Sequence, residues 1–404
     1  MVQTLDFKTR NEIVYKTMPR INGNNQFKSK TILALDGGYS GVKGVSPNKL
    51  FAFPSYAKKV DRTFSIIGKM DSDDLLFRNN KTGEIWVVGK TAENLMDRSD
   101  VDEMDDDSLY TRYRYNSDIY KVIMATGIAL GLYKVGTVME LYLQTGLPSE
   151  YLAKDTAKLK AALSGSYDIS LKIGNNDWET FQFDLNEDHI EVMEQPKGTL
   201  NNLVYNMGKV SKEWASVLSS NVIIWDIGFG TEDIFAFKKA SLTGNDTFRN
   251  SAMRSVFERT IEKVRKNNKD IEIDVKVFEL QKYLVDGEIP IVDEETYESS
   301  YISFEKELEE ANKEICMESI DRLMKKYDSL KDYRYLVVTG GTGESRFEMI
   351  KDRLKGLGKL TILAGNENIK EVSCIYSNVL GYYMFRYAKL MSEMKKAGFT
   401  PEEE

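Results

Sequence analysis

Two short segments of this chain share one pattern, and their repetition constrains the fold more than any other feature. In the first segment, the apolar run Thr31–Asp36 ends in a carboxylate, and the turn Gly37–Gly41 follows before a strand pattern resumes. In the second, Val222–Asp226 leads into Gly228–Thr231, and Asp233–Phe237 forms the return. Each segment predicts a β-hairpin with a glycine turn. Two hairpins of one design predict two similar turns that serve one ligand.

The residues of these turns are suited to phosphate. Glycine allows backbone N–H groups to approach an anion closely, and Ser40 and Lys43 add a hydroxyl and a positive charge. Asp36 and Asp226 at the strand ends are expected to hold Mg²⁺, mainly through its waters. Taken alone, each turn fits an ordinary glycine hairpin equally well. The predicted cofactor-binding residues of the two hairpins are Asp36, Gly37, Gly38, Tyr39, Ser40, Gly41, Lys43, Gly228, Phe229, Gly230 and Thr231.

A third glycine turn follows a later strand. Tyr335–Thr339 is an apolar run, and Gly340, Gly341, Thr342 and Gly343 come directly after it at the start of a helical pattern. Glycine lets a flat base or ribose lie against the backbone. The alternative is a plain β-to-α turn, and the position after the second hairpin favours the nucleotide interpretation.

The remaining pattern predicts an α/β protein with two domains. Strand patterns alternate with helical spacing, and the 404 residues exceed what one compact domain usually holds. Helices are predicted over 116–135, 200–218, 302–329 and 377–394. The predicted division is a flexible arm at 1–30, domain I at 31–210 with 372–404, and domain II at 211–371.

Composition excludes several classes of function. A net charge of −8 argues against direct nucleic-acid binding, which needs local positive charge. His189 is the only histidine and there are two cysteines, so zinc sites, histidine-based catalysis and a disulfide framework are not expected. No stretch is long enough to span a bilayer, and the tail Glu402–Glu404 has the wrong charge for an anionic membrane. A cytoplasmic protein is expected.

The three glycine elements, in this order, resemble the two phosphate motifs and the adenosine motif of one superfamily. That superfamily joins actin, the heat-shock chaperone ATPases and the sugar kinases. Glu191–Gly198 and Ser377–Tyr383 resemble its two connecting segments, so the resemblance covers residues 31–390. Within the superfamily, the Asp-Gly-Gly start, the segment 145–151 and the Val-Met-Glu-Gln-Pro connector resemble the ParM-type bacterial actins, which segregate plasmids.

The resemblance implies a fold and a function. The fold is a two-domain actin-like (duplicated ribonuclease H-like) α/β fold with a nucleotide cleft between the domains. The implied activity is hydrolysis of ATP or GTP with Mg²⁺, coupled to assembly into polar filaments of the protein itself. The implied partner is a DNA-binding adaptor on a plasmid centromere. A small-molecule kinase of the same superfamily is the alternative, but it needs a further carboxylate as general base, and the sequence identifies none.

The resemblance also implies catalytic residues in the first connector, together with Asp226. Gln195 aligns with the residue that positions the attacking water in ParM-type proteins, and the neighbouring Glu194 competes for this role. A glutamine cannot take a proton, but orienting water suffices where catalysis depends on positioning and electrostatics. Family members contact the base or ribose from the helix that here carries Glu258 and Glu262.

Overall fold

The computed structural model describes residues 4–399, except 62, 65–68, 99, 101–111, 137, 139, 207–208, 213, 240 and 294. The acidic C-terminal tail therefore lies outside the described residues. The described parts of Thr9–Ser219 and Gly365–Glu404 form one compact unit, called the larger unit, and those of Met1–Lys8 and Ser220–Ala364 form the smaller unit. No helix in the described ranges has the length and apolar character that crossing a membrane requires.

The strands and helices are numbered along the chain. The strands are β1 Glu12–Tyr15, β2 Lys30–Gly37, β3 Gly41–Ser46, β4 Lys49–Pro54, β5 Ala57–Val60, β6 Leu75–Asn79, β7 Ile85–Val88, β8 Glu140–Leu147, β9 Gly165–Ile173, β10 Glu179–Leu185, β11 Ile190–Glu194, β12 Tyr205–Asn206, β13 Lys209–Val210, β14 Val222–Ile227, β15 Thr231–Lys238, β16 Ser241–Arg249, β17 Glu288–Val292, β18 Ser299–Ser303, β19 Tyr335–Thr339 and β20 Thr361–Ala364. The α-helices are α1 Lys90–Leu95, α2 Asp118–Leu132, α3 Leu152–Leu163, α4 Gln195–Val204, α5 Ala215–Leu218, α6 Met253–Asn267, α7 Val277–Tyr283, α8 Glu305–Lys326, α9 Gly341–Leu354 and α10 Ser377–Lys396.

The main sheet of the larger unit has the strand order β1-β4-β3-β2-β8-β11. Side chains alternate across a strand, and β2 shows this clearly. Leu33 and Leu35 join one apolar cluster with helix α2, whereas Ile32 and Ala34 join another with helix α10. The sheet is therefore covered on both faces, which explains why nearly every residue of β2 is buried. A second sheet, β10-β9-β6-β7-β5, and the two-stranded sheet β12-β13 also belong to this unit.

The smaller unit repeats this plan. Its sheet order is β16-β15-β14-β19-β20, with β14 antiparallel to β15 and parallel to β19. The larger unit has the equivalent order β4-β3-β2-β8-β11, with β2 antiparallel to β3 and parallel to β8. In each unit, two further strands thus extend the sheet in parallel from the first strand of the hairpin. The predicted duplicated α/β fold is confirmed.

Two segments differ from their sequence prediction. The predicted arm contains β1, which pairs with β4, and Met18 and Ile21 are buried. An unpaired edge strand exposes backbone groups that can pair with another chain, and β1 covers the edge of β4. The helix predicted over 200–218 is wrong in its bounds, because α4 begins at Gln195 and ends at Val204. Pro196 lacks an N–H and so suits the first turn of a helix.

Lys49 is a buried cation in β4 and leads to a test of the fold. Its ammonium donates to the Tyr133 carbonyl at 2.5 Å and to Asn48 Oδ1 at 2.7 Å. Burial lowers its pKa from 10.5 to about 8. Between about pH 8 and pH 10.5 the unfolded chain binds more protons than the folded chain, so the free energy of unfolding rises with pH in this range. Below about pH 8 the buried charge lowers the free energy of unfolding by its full amount.

We therefore expect the pH dependence of stability to change in a Lys49→Met variant. From about pH 7 to about pH 9.5, the unfolding free energy of the unchanged protein should rise by about 2 kcal/mol relative to the variant. Urea unfolding of both proteins across this range measures the difference. A constant difference would mean that Lys49 titrates near its ordinary pKa.

Candidate functional site

The first hairpin places a carboxylate opposite a lysine. Asp36 and Lys43 are register partners in β2 and β3, and Lys43 Nζ lies 3.9 Å from Asp36 Oδ2. Asp36 is buried behind the turn. A Cβ added to Gly38 would lie 2.7 Å from the Gly41 carbonyl oxygen and 2.8 Å from Lys43 Nζ. Only glycine fits there, because the first of these contacts is with backbone.

The turn itself has two chemically different sides. Arg114 Nη2 donates to the Gly37 carbonyl at 2.5 Å, and Ser55 Oγ donates to the Gly38 carbonyl at 2.9 Å. The Ser55 amide donates to the Ser40 carbonyl at 2.9 Å. Within the described ranges, the N–H groups of residues 38–40 have no hydrogen-bond acceptor. Consecutive open amides can form a concave anion site, and this turn has that arrangement.

The connector residue that contacts Asp36 is Gln195. Its Nε2 donates to Asp36 Oδ1 at 2.8 Å. A carboxylate only accepts hydrogen bonds, so the amide nitrogen must face Asp36 and the amide oxygen remains available as an acceptor. Glu194 occupies the N-cap position of α4 and makes no capping hydrogen bond with its side chain. The geometry thus ties Gln195, and not Glu194, to the first hairpin.

The second hairpin places two carboxylates side by side. Asp226 in β14 is the register partner of Asp233 in β15, and both are buried. Asp233 accepts hydrogen bonds from Thr231 Oγ1 at 2.9 Å and from Thr247 Oγ1 at 2.6 Å. Sequence reasoning missed Asp233. Its position mirrors that of Asp226 about the turn, and antiparallel pairing puts mirrored residues on one face.

The third glycine turn lies against the second hairpin. Gly340 has φ +84°, and a Cβ there would lie 2.4 Å from both Asp226 Oδ1 and the Ile227 carbonyl oxygen. Thr342 Oγ1 donates to the Gly228 carbonyl at 2.7 Å. Gly341 and Gly343 lie in the first turn of α9. The structure therefore brings together two of the three predicted elements within the smaller unit.

The carbonyls of the second turn are also bound from behind. The Arg254 amide, in the first turn of α6, donates to the Phe229 carbonyl at 2.9 Å. Glu258 pairs with the Arg254 side chain at 3.0 Å on the exposed face of α6, and Glu262 lies on that face too. No contact of Glu258 or Glu262 with a glycine turn appears among the described residues, and their proposed role in base or ribose binding stays a prediction.

A buried polar network supports the second hairpin. Glu232 and Arg346 are fully buried, with Glu232 Oε1 3.6 Å from Arg346 Nη1. Glu232 also accepts from Ser319 Oγ at 2.7 Å and from Trp225 Nε1 at 3.2 Å. Burial raises the pKa of Glu232. Because Arg346 belongs to α9, this network links the second hairpin to the helix that follows the third turn.

The carboxylates of the two hairpins suit one kind of magnesium site. The described residues contain no group of three metal-ligating side chains, so they offer no all-protein cage. Mg²⁺ usually keeps several waters and binds through one or two carboxylates plus substrate phosphates. Asp36 beside a phosphate-type turn, and Asp226 beside Asp233, fit this second kind of site.

Comparison with known proteins identifies the fold. Residues 34–198 match the family described as the N terminal domain of actin like proteins. No curated protein sequence matches the chain. A non-polymerisable quadruple mutant of pCBH ParM is similar over 89% of this chain and 99% of its own, with a TM-score of 0.68 and 20% identity.

Two further solved structures are similar over most of both chains. A subunit of a 15-stranded ParM filament from Clostridium botulinum matches with a TM-score of 0.65 and 18% identity, over 89% of this chain and 99% of its own. The archaeal actin homologue Ta0583 in complex with ADP matches with a TM-score of 0.57 and 14% identity, over 88% and 99%. Residues 34–198 are therefore similar to an actin-like N-terminal domain, and the chain as a whole has a ParM-like fold.

Proposed function

We propose that this protein is a cytoplasmic, filament-forming actin homologue that binds and hydrolyses ATP or GTP with Mg²⁺. Each compact unit contains one of the two glycine hairpins, and each hairpin is proposed to bind phosphate. We further propose that the filaments segregate plasmid DNA through a DNA-binding adaptor.

One observation carries the proposal. The first turn has its carbonyls bound by Arg114 and Ser55, while the amides of residues 38–40 have no acceptor in the described part of the chain. Unsatisfied backbone N–H groups are costly unless they meet water or a ligand. This turn lies within the stretch that matches the actin-like family. A phosphate group is the anion that best suits a row of amides beside Lys43.

The chemistry follows from the residues around Asp36. Lys43 adds positive charge beside the turn, and the amide oxygen of Gln195 would accept a hydrogen bond from an attacking water. Asp36 holds the other end of that amide and so fixes its orientation. Asp36 and Asp226 would hold Mg²⁺, which neutralises phosphate charge when it is bound. Such catalysis depends on positioning and electrostatics.

Self-assembly is proposed from the similarity to a protein solved as a ParM filament. A nucleotide drives assembly only if it binds the assembling conformation more tightly than the other. We therefore expect the purified protein to pellet in the ultracentrifuge with Mg-ATP or Mg-GTP and to stay in the supernatant without nucleotide. Phosphate release should accompany pelleting, and electron microscopy should show filaments in the same samples.

A pair of glycine variants makes this test specific. Gly38→Ala should abolish nucleotide binding and pelleting, because its Cβ would meet the Gly41 carbonyl oxygen at 2.7 Å. Gly356→Ala is the matched control, since no heavy atom lies within 4 Å of its added Cβ. This control should bind nucleotide normally. Protein that stays in the supernatant under every nucleotide condition would contradict the proposal. DNA that pellets with the filaments in the absence of an adaptor would contradict the proposed partner.

A further inference from the structure

Arg114 is a buried cation behind the first glycine turn. Only 8% of the residue is exposed, and its Nη2 donates to the Gly37 carbonyl. The guanidinium also lies over the Tyr39 ring, 4.4 Å from the ring centre, and Tyr39 belongs to the same turn. The Arg114 side chain therefore contacts both the backbone of the turn and one of the turn's side chains.

Burying this charge costs free energy, which attraction to neighbouring tyrosines and to the Asp36 carboxylate offsets. Arg114 Nε is buried and has no hydrogen-bond acceptor in the described ranges. The rings of Tyr120 and Tyr115 lie 5.2 and 5.7 Å from the guanidinium, within the range of cation–π attraction. Burial raises the pKa of Tyr115 to about 12, so that hydroxyl stays neutral. A charge kept buried beside the turn suggests a task beyond filling space.

The position of the charge suggests the task. The Gly37 carbonyl and the Gly38 N–H belong to one peptide group, so a donor on the carbonyl polarises the group and strengthens the N–H as a donor. The Arg114 backbone is itself fixed, because Ser117 Oγ donates to the Arg114 carbonyl at 2.8 Å. Inside a protein the charge is also screened less than it would be in water.

We propose that Arg114 is a positioning residue for phosphate: it holds the Gly37–Ser40 turn with its amides outward and makes this turn electrostatically favourable to the phosphate chain of a nucleotide. The inference rests on the proposed nucleotide function and adds to it a residue that no sequence motif indicates. Ser55 has the corresponding role on the Gly38 carbonyl without a charge. Arg114 should therefore contribute more to phosphate affinity than Ser55.

The test measures binding of Mg-ATP, Mg-GTP and inorganic tripolyphosphate by calorimetry. Arg114→Gln should weaken binding of the preferred nucleotide and of tripolyphosphate at least about tenfold, the loss expected for one hydrogen bond from a charged donor. Arg114→Lys keeps the charge and should recover much of that loss. Ser55→Ala should lose less than Arg114→Gln. Thermal unfolding of each nucleotide-free variant reports whether it is folded.

Lys49→Met is the matched control, because Lys49 is another buried cation of the larger unit that donates to a backbone carbonyl. It should leave both affinities unchanged. If Arg114→Gln is folded and binds as tightly as the unchanged protein, or if the lysine variant binds no better than the glutamine variant, the inference is wrong. If the unchanged protein binds neither nucleotide nor tripolyphosphate, the proposed function fails as well, so the two failures are distinguishable.

Discussion

Replacing Gly381 with alanine is expected to destabilise the larger unit by about 3 kcal/mol or more, the upper range for overpacking a core. Helix α10 crosses helix α4 at this residue, and an added Cβ would lie 1.7 Å from the Gly198 carbonyl oxygen. A backbone atom cannot rotate away as a side chain does, so the two helices must separate. Urea unfolding followed by circular dichroism measures the loss.

The same substitution should also slow hydrolysis, because α4 begins at Gln195 and this residue donates to Asp36. Gly127→Ala in α2 is the matched control: the atoms nearest to its added Cβ belong to the Leu35 and Val42 side chains, at 3.3 Å or more. Alanine is favoured over glycine inside a helix by about 1 kcal/mol. Gly127→Ala should therefore be much less destabilising than Gly381→Ala. A Gly381→Ala variant as stable as the unchanged protein would show that the helices do not cross closely.

Replacing Asp226 with alanine is expected to lower Mg²⁺-dependent nucleotide hydrolysis at least about a hundredfold, since several kcal/mol of transition-state stabilisation depends on a held metal ion. The carboxylate lies at the end of β14, buried beside Asp233 and against Gly340. Phosphate release at saturating nucleotide, with Mg²⁺ varied, measures the change.

Asp332→Ala is a suitable control for Asp226→Ala, because Asp332 is an exposed carboxylate of the same unit that pairs with Lys238. Its hydrolysis rate should match that of the unchanged protein. Nucleotide binding without Mg²⁺ should be nearly equal in both variants. Normal turnover in the Asp226 variant would remove this residue from the site.

Most strands and turns were predictable because their signals are local. The apolar run ending in Asp36 and the one ending in Asp226 form β2 and β14. Helix α2 lies within the predicted range 116–135, and α10 begins at the predicted Ser377. Glycines at turns and the alternation of side chains act within a few residues. The end of α4 was missed because the pairing of β12 with β13 interrupts an amphipathic pattern that runs on through it.

The site itself was only partly predictable. Sequence reasoning left Gln195 and Glu194 as competitors, and the hydrogen bond from Gln195 to Asp36 shows only that Gln195 contacts the first hairpin. Asp233 could have been found from the symmetry of its hairpin. Arg114 could not, because no spacing relates it to the turn whose carbonyl it binds.

By itself, the sequence determined the glycine turns and the carboxylates at the strand ends, since each depends on steric preferences of neighbouring residues. It also determined an order of motifs that resembles that of actin-like proteins. The tertiary structure alone decided which side chains bind the carbonyls of the turns and how closely α4 and α10 cross. Those contacts join residues far apart in the chain, and strand register and helix packing settle them through the summed burial of many side chains.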